Sequence, residues 1–337
     1  MSGERIPLAD LRALVAAAFE ASRTSSDNAR SVADALVAAE ADGLSGHGLS
    51  RVAAYCGQAL SGKVDGHAVP RVERRRAASV LVDAGTGFAF PAFEAAIREL
   101  SVLAPQTGVA AAAIGNSHHF GVAGHHVERL ADAGLVALVF GNSPAAIAPW
   151  GGKTPLFGTD PIAFACPRPG GAPLVVDLSM SKVARGRVMV AAQKGEPIPE
   201  GWALDAEGRP TTDAKAALAG AMLPMGDAKG AALVMAVELL SVAFTGSSFG
   251  WEASSFFDAE GPAPRVGQLL LAIDPGAFGP AETTLARIGA LCGAVLAQPG
   301  TRLPGDRRLA LRAAAERDGI APSPAVLEDI RRRAAGR

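Results

Sequence analysis

The sequence predicts an α/β fold of roughly two domains, on three observations: a length of 337 residues, an apolar share of 49%, and short apolar runs that alternate with helical periods from Ser79 onward. A chain of this size buries more interior than one small core holds. Its first third is patterned differently, so the alternating part is preceded by a helical segment.

Leu8 to Ala21 has apolar positions at helical spacing, and Ser26 or Asp27 is placed to cap a second helix running through Val32, Leu36 and Ala39 to Asp42. Gly43 to Gly48 breaks it, and Arg51 to Leu60 reads as a third short helix. His47 then falls in a turn between two helices, with Arg51 one turn further on. Strands are predicted at Val80 to Val82, Val109 to Ile114 and Val136 to Phe140, separated by helices over Phe93 to Leu103 and His126 to Ala133. Further strands are expected at Ile162 to Cys166, Leu174 to Val176 and Leu269 to Ile273, with a turn at Pro167 to Pro173 and a buried helix at Ala231 to Phe244. The stretch from Ala310 to Arg337 is again helical, charged and amphipathic.

Composition narrows the function. A formal net charge of −1 leaves no basic surplus to neutralise phosphates, which argues against nucleic acid and for a small-molecule substrate. The three cysteines, Cys56, Cys166 and Cys292, are far apart and form no CxxC, so neither a disulfide framework nor a zinc ribbon is expected, and a reducing cytoplasm fits. Met1 to Asp10 is polar and mixed in charge, unlike a secretory leader. Ala231 to Phe244 is too short to span a bilayer and carries Glu238, so no membrane association is expected.

Four of the six histidines fall in Gly115-Asn116-Ser117-His118-His119-Phe120-Gly121-Val122-Ala123-Gly124-His125-His126. A metal site is disfavoured, because adjacent residues on a helix point roughly 100° apart and no neighbouring cysteine or carboxylate completes a tetrahedron. The alternatives are surface histidines at a helix start, or a ligand loop at the carboxyl end of a strand, where Gly121 and Gly124 let a backbone approach a phosphate. His47 with Arg51 is the more chemical pair, a general acid beside a guanidinium able to hold a carboxylate in two-point contact; a surface turn beside a salt-bridged arginine is the plain reading. Asp177 ends a strand and is placed to bond a ribose or simply to close a turn. Lys182, Arg185 and Arg187 form a cationic cluster suited to a 2′-phosphate or to solvent. No GxGxxG follows a strand; Gly152-Lys153-Thr154 lacks the P-loop's first glycine, since position 147 is Ile; and Gly246-Ser247-Ser248-Phe249-Gly250 follows a helix, unlike a nucleophile elbow.

Taken in order, His47-Gly48-Leu49-Ser50-Arg51 with Tyr55, Asn116-Ser117-His118-His119-Phe120-Gly121, Pro149-Trp150-Gly151-Gly152, Gly158-Thr159-Asp160-Pro161, Asp177-Leu178-Ser179, Lys229-Gly230 and Leu303-Pro304-Gly305-Asp306 resemble the type-2 malate/L-lactate dehydrogenase family over nearly the whole chain. The resemblance implies an NAD(P)-dependent oxidoreductase with a non-Rossmann, mixed-sheet cofactor domain and a second, mainly helical domain built from both chain ends. The corresponding division is 1–110, joined by 300–337, against 111–299. It also implies a homodimer, and explains the missing GxGxxG.

By the same resemblance His47 is the proton donor and acceptor, Arg51 the carboxylate clamp and Thr159 a substrate neighbour. His118, His119, Phe120, Gly121, Val122, Asp177, Leu178, Ser179, Lys182, Asp227, Lys229, Pro304, Gly305, Asp306 and Arg307 would line the cofactor, with no metal. NADP(H) is slightly preferred, for the cations from Lys182 to Arg187, with NAD(H) as the alternative. Members that reduce cyclic imines such as Δ1-piperideine-2-carboxylate carry a Ser-His pair with a distant Asp; this chain has Gly46 before His47, and Arg187 where that Asp aligns. The departures favour a 2-hydroxy acid, namely 3-sulfolactate, malate or lactate. The runs Asp177 to Arg187, Met225 to Gly230 and Glu252 to Phe257 look most like the (R)-3-sulfolactate dehydrogenase branch. Arg187 is then available for a second acidic group, or for the cofactor phosphate. A cyclic-imine reductase and a non-catalytic metabolite-binding homologue are the alternatives. Asp160 replaces a common Asn, and Asp227 a usual Gly, where a carboxylate repels a phosphate unless a cation offsets it.

Overall fold

The computed structural model describes residues 4–337, so the first three residues of the polar opening segment lie outside the described part. The amino-terminal helices are α1 (Leu8–Glu20), α2 (Ser26–Ala41) and α3 (Val52–Ser61). The cap of α2 is Ser25, whose side chain accepts the Asn28 amide, one residue before the expected Ser26 or Asp27; Asp27 lies in the first turn, where its charge suits the helix dipole.

A seven-stranded sheet follows, formed by β1 (Arg71–Arg76), β2 (Ser79–Asp83), β3 (Val109–Ser117), β4 (Val136–Gly141), β5 (Ile162–Cys166), β6 (Leu174–Leu178) and β10 (Val266–Ile273) in the order β1-β2-β3-β10-β4-β5-β6. Only β2 and β3 pair in parallel, so the sheet is mixed, as expected. Strand β10 inserts between β3 and β4 with Leu270 opposite Ala112 and Val139, and a strand buried on both faces has the near-continuous apolar run seen in its sequence. β1 was not foreseen: all six of its residues, Arg-Val-Glu-Arg-Arg-Arg, are exposed, and a charged edge strand shows no apolar alternation while it protects the edge from pairing.

Helices α4 (Ala89–Thr107) and α5 (Ala123–Asp132) bury Phe93, Leu100, Val127 and Leu130 against Val82, Ile114, Val139 and Ala163 of the sheet. A separate core joins α1, α2 and α3 to α11 (Pro324–Ala334) through Phe19, Leu36, Tyr55 and Ile330, so both chain ends build one helical layer. The helical stretch expected from Ala310 onward forms two helices, α10 (Asp306–Asp318) and α11, divided at Gly319, whose φ of +71° ends the first.

A third core surrounds a small sheet of β7 (Ala203–Leu204), β8 (Pro210–Thr211) and β9 (Ala221–Met222), packed with α6 (Arg185–Lys194), α7 (Ala214–Ala219) and α8 (Asp227–Glu238). The helix expected over Ala231 to Phe244 begins at Asp227 and continues beyond Glu238 as a π-turn over Leu239–Ala243. α9 (Ala281–Leu296), also unforeseen, buries only Cys292.

Candidate active site

Three cores meet around a cleft of about 1980 Å³. Its helical wall carries His47 on a short 3-10 turn (Ser45–His47) that follows α2. Gly43, at φ +75°, ends α2, and Gly48 lets the turn close on it: a Cβ there would lie 2.3 Å from the Glu40 carboxylate oxygen that accepts the Leu49 amide at 2.9 Å. The backbone thus fixes His47 from both sides.

Arg51 donates from Nε to the Gly46 carbonyl at 2.7 Å and lies 4.5 Å over the Phe257 ring, while its Nη1 is buried without a protein partner. His47 Nδ1 is likewise buried and unpartnered. The His47 ring stacks on His119 at 5.2 Å, and His119 Nδ1 is hydrogen-bonded to the hydroxyl of the fully buried Tyr55. Burial, then the Arg51 charge and His125, lower the His47 pKa to about 4, so its imidazole is neutral near pH 7.

The four histidines of the 115–126 segment are not surface groups. His118 is buried between Tyr55, Phe88 and Phe256 with neither ring nitrogen bonded, and burial, Lys63 and Arg51 take its pKa down to about 3. His126, also held near 3 by burial, donates from Nε2 to the Phe120 carbonyl at 2.8 Å. His125 Nε2 donates to Asp42 at 2.7 Å. There it joins a cluster in which Arg308 and Arg312 both reach Asp42 and Glu128, tying α2, α5 and α10 together. Burial raises the Asp42 pKa, but bonds from Arg312 and His125 outweigh it and hold the carboxylate ionised.

Opposite the helical wall, the segment leading into β5 presents Thr159, whose amide donates to Ser143 Oγ at 3.0 Å. Behind it Asp160 Oδ1 accepts the Ser143 amide at 3.1 Å, its Oδ2 is buried without a hydrogen-bond partner, and the carboxyl feels the charge of buried Glu238. Glu238 accepts from Gly250 N at 3.1 Å and Asn142 Nδ2 at 3.2 Å. Burial raises both carboxyls, Asp160 further through Glu238, and Glu238 reaches about 7. Asp177 accepts the Gly124 amide at 2.7 Å, joining β6 to the start of α5; burial raises its carboxyl.

The structure therefore gathers His47, Arg51, Thr159, Arg187, His119, Phe120, Gly121, Val122, Asp177, Leu178, Ser179, Pro304, Gly305 and Arg307 around the cleft. His118, Lys182, Asp227, Lys229 and Asp306 do not line it. Lys182 pairs with Asp227 at 3.6 Å, supplying the offsetting cation anticipated for that carboxylate, and Asp306 accepts the Leu303 amide at 2.9 Å. Among the described residues no cluster of three or more His, Cys, Asp or Glu is disposed to hold a metal ion. Sequence reasoning missed Ser143, Phe256 and Phe257 as site residues; the one local signal was two adjacent aromatics in an aperiodic loop. It also left Arg185 in a cluster with Lys182, whereas Arg185 lines the cleft and donates to the Ala145 carbonyl at 3.2 Å.

A profile of malate/L-lactate dehydrogenases matches residues 6–331. The (2R)-3-sulfolactate dehydrogenase (NADP(+)) of Chromohalobacter salexigens is 56% identical over 98% of this chain and 98% of its own. Among solved structures, the Δ1-piperideine-2-carboxylate reductase of Pseudomonas syringae pv. tomato superposes with a TM-score of 0.93 at 40% identity, covering 98% of this chain and 99% of its own. The sulfolactate dehydrogenase of Methanocaldococcus jannaschii does so with a TM-score of 0.90 at 26% identity, covering 98% and 97%. The resemblance read from seven short motifs is thus borne out over the full fold, and the chain belongs to the malate/L-lactate dehydrogenase family.

Proposed function

We propose that the protein is an NADP-dependent dehydrogenase of a small 2-hydroxy acid, with 3-sulfolactate as the leading substrate and malate and lactate in the same class. The observation that carries this is the pair of buried, unpartnered polar atoms, His47 Nδ1 and Arg51 Nη1, at the wall of one cleft. Buried polar groups are almost always paired, so these two mark where a ligand's oxygen atoms belong.

The cleft residues also fit a nicotinamide dinucleotide. Gly121 to Gly124 bring the positive end of α5 to the wall, and Arg187 and Arg307 add cations for phosphate. When bound, the cofactor supplies the hydride acceptor. Arg51 grips the substrate carboxylate, held flat by Phe257 and Gly46. His47, neutral beforehand, takes the hydroxyl proton as the 2-carbon loses hydride, and its stacking on His119 keeps the ring in one plane. Phe256, buried against both His118 and His119, keeps water from that side. In the reverse direction His47 must first carry the proton it then gives. A sulfonate or second carboxylate falls to Arg185 or Arg187, both on the cleft.

Cyclic-imine reduction is the second reading, favoured by the 40% identity to the piperideine-carboxylate reductase. Against it stands the absence, among the described residues, of any serine or carboxylate hydrogen-bonded to the His47 ring. Replacing His47 by Ala should lower turnover by about 10²- to 10⁴-fold with NADPH affinity retained. A variant that kept full rate would remove His47 from the chemistry.

The helical layer is proposed to carry His47 and Arg51 and the sheet side most of the cofactor groups, with the boundary drawn just before Arg71 and not at the expected 110/111, because β1 and β2 pair into the sheet. A homodimer is proposed from the exposed Leu239, Phe244, Leu291 and Leu296 around the π-turn and α9. Light scattering at micromolar protein should give twice the chain mass; a monomer would overturn it. Cytoplasmic residence is proposed from three free, buried cysteines. Among the described residues no helix is long and apolar enough to cross a membrane.

A further inference from the structure

Lys63 follows α3, and its side chain is only 1% exposed. Its Nζ donates to the carbonyls of Ser255 at 2.8 Å, Asp258 at 3.2 Å and Glu260 at 2.7 Å, and to Asp258 Oδ1 at 3.0 Å. Gln58 adds a bond to the Asp258 carbonyl at 2.8 Å. Four oxygens from one loop, nearly 200 residues away in sequence, thus converge on one ammonium, and three of the four are uncharged. The one carboxylate is 53% exposed, so an ion pair alone does not explain burying the lysine. What the oxygens build is a cradle for a small cation.

The loop held by that cradle carries the aromatic wall of the cleft. Phe256 lies 5.3 Å from His118 and 5.1 Å from His119, and Phe257 is the ring beneath Arg51. We infer that Lys63 is a positioning residue: its ammonium pins residues 255–260 so that Phe257 holds the Arg51 guanidinium ready for the substrate carboxylate. Without the cation, four carbonyl and carboxylate oxygens lose their common donor and repel one another, the loop lifts, and Arg51 loses the face that restrains it. The proposed phosphate contacts, Gly121 to Gly124, Arg187 and Arg307, lie outside residues 255–260 and keep their places. The inference rests on the proposed role of Arg51.

The test compares Lys63→Ala, Lys63→Met and Phe257→Leu with the wild-type enzyme for KM, kcat and NADPH affinity. All three should raise the 2-oxo-acid KM by about tenfold or more, as misplacement of a clamp does, with NADPH affinity held within about twofold. Added methylammonium should restore the KM of Lys63→Ala and do nothing for Phe257→Leu, a response that general destabilisation does not produce. An unchanged KM in Lys63→Met, or NADPH affinity lost in step with KM, overturns the inference. If the lysine variants do not fold, an unchanged KM in Phe257→Leu does the same. If wild-type protein turns over no 2-oxo acid, the functional reading has failed. The loop contact is then judged by amide hydrogen exchange over 255–260, which Lys63→Met should speed by about tenfold or more and which, if unchanged, rules the cradle out.

Discussion

His47 and Arg51 were legible from the sequence because they are four residues apart in one short segment, a local relation that spacing reveals. Their environment was not, since the partners that set it, Tyr55, His119 and Phe257, come from three separate elements. The environment dictates the pH behaviour. With His47 neutral above about 4, its base form is already present near pH 7, so kcat/KM for hydroxy-acid oxidation should be flat in His47 ionisation from about pH 5.5 to 8. Reduction needs the protonated ring, whose fraction falls with rising pH, so kcat/KM for 2-oxo-acid reduction should drop by about tenfold per pH unit over that range. Equal and opposite limbs centred near pH 6.5 would show that the ring is not desolvated as described. Arg51→Lys should raise the substrate KM by about tenfold or more, because an ammonium neither offers a two-point fork nor stacks on Phe257; unchanged KM would remove the clamp.

At the scale of elements, strands with an apolar alternation and the helices that cover them were readable, whereas β1, β7 to β9 and α9 were not. β1 is charged at five of its six positions on the sheet edge, the small strands are two residues long, and α9 mixes Glu282, Thr283, Thr284 and Arg287 with its apolar residues and buries only Cys292. Contacts between distant elements were equally hidden. The arginine and carboxylate cluster joining α2, α5 and α10 spans up to 270 residues. Asp42 within it is fully buried, so Arg312→Ala should cost about 3 kcal/mol or more in denaturant unfolding by leaving buried carboxylates short of a partner. A loss below about 1 kcal/mol would mean that Arg308 alone suffices. Asp160 and Glu238 act the other way. A carboxyl whose folded pKa is raised binds a proton the unfolded chain has already lost, so this pair's contribution to stability falls as pH rises above about 4.5, for Glu238 as far as about 7. Asp160→Asn, which keeps the shape and removes one charge, should flatten that slope; a slope unchanged in the variant would show that the pair is not the cause.

Across the whole molecule, the buried histidines set a second trend. His47 near 4, His118 and His126 near 3, and His119 far below its ordinary value all bind protons less readily folded than unfolded. The unfolded chain gains those protons as pH falls below about 6.5, so stability should decline toward pH 4 by up to about 1.4 kcal/mol per pH unit for each histidine. A melting temperature constant between pH 6.5 and 4.5 would contradict that burial. The mixed sheet flanked by a helical layer from both chain ends was anticipated only through the family resemblance, because the insertion of β10 between β3 and β4 leaves no mark in local periodicity. The proposed activity of this cleft is hydride transfer to and from a small 2-hydroxy acid. It is tested most directly by following NADPH absorbance with sulfopyruvate, oxaloacetate, pyruvate and Δ1-piperideine-2-carboxylate. Turnover of a 2-oxo acid, with sulfopyruvate giving the highest kcat/KM, is the predicted result; turnover of the cyclic imine alone would contradict it.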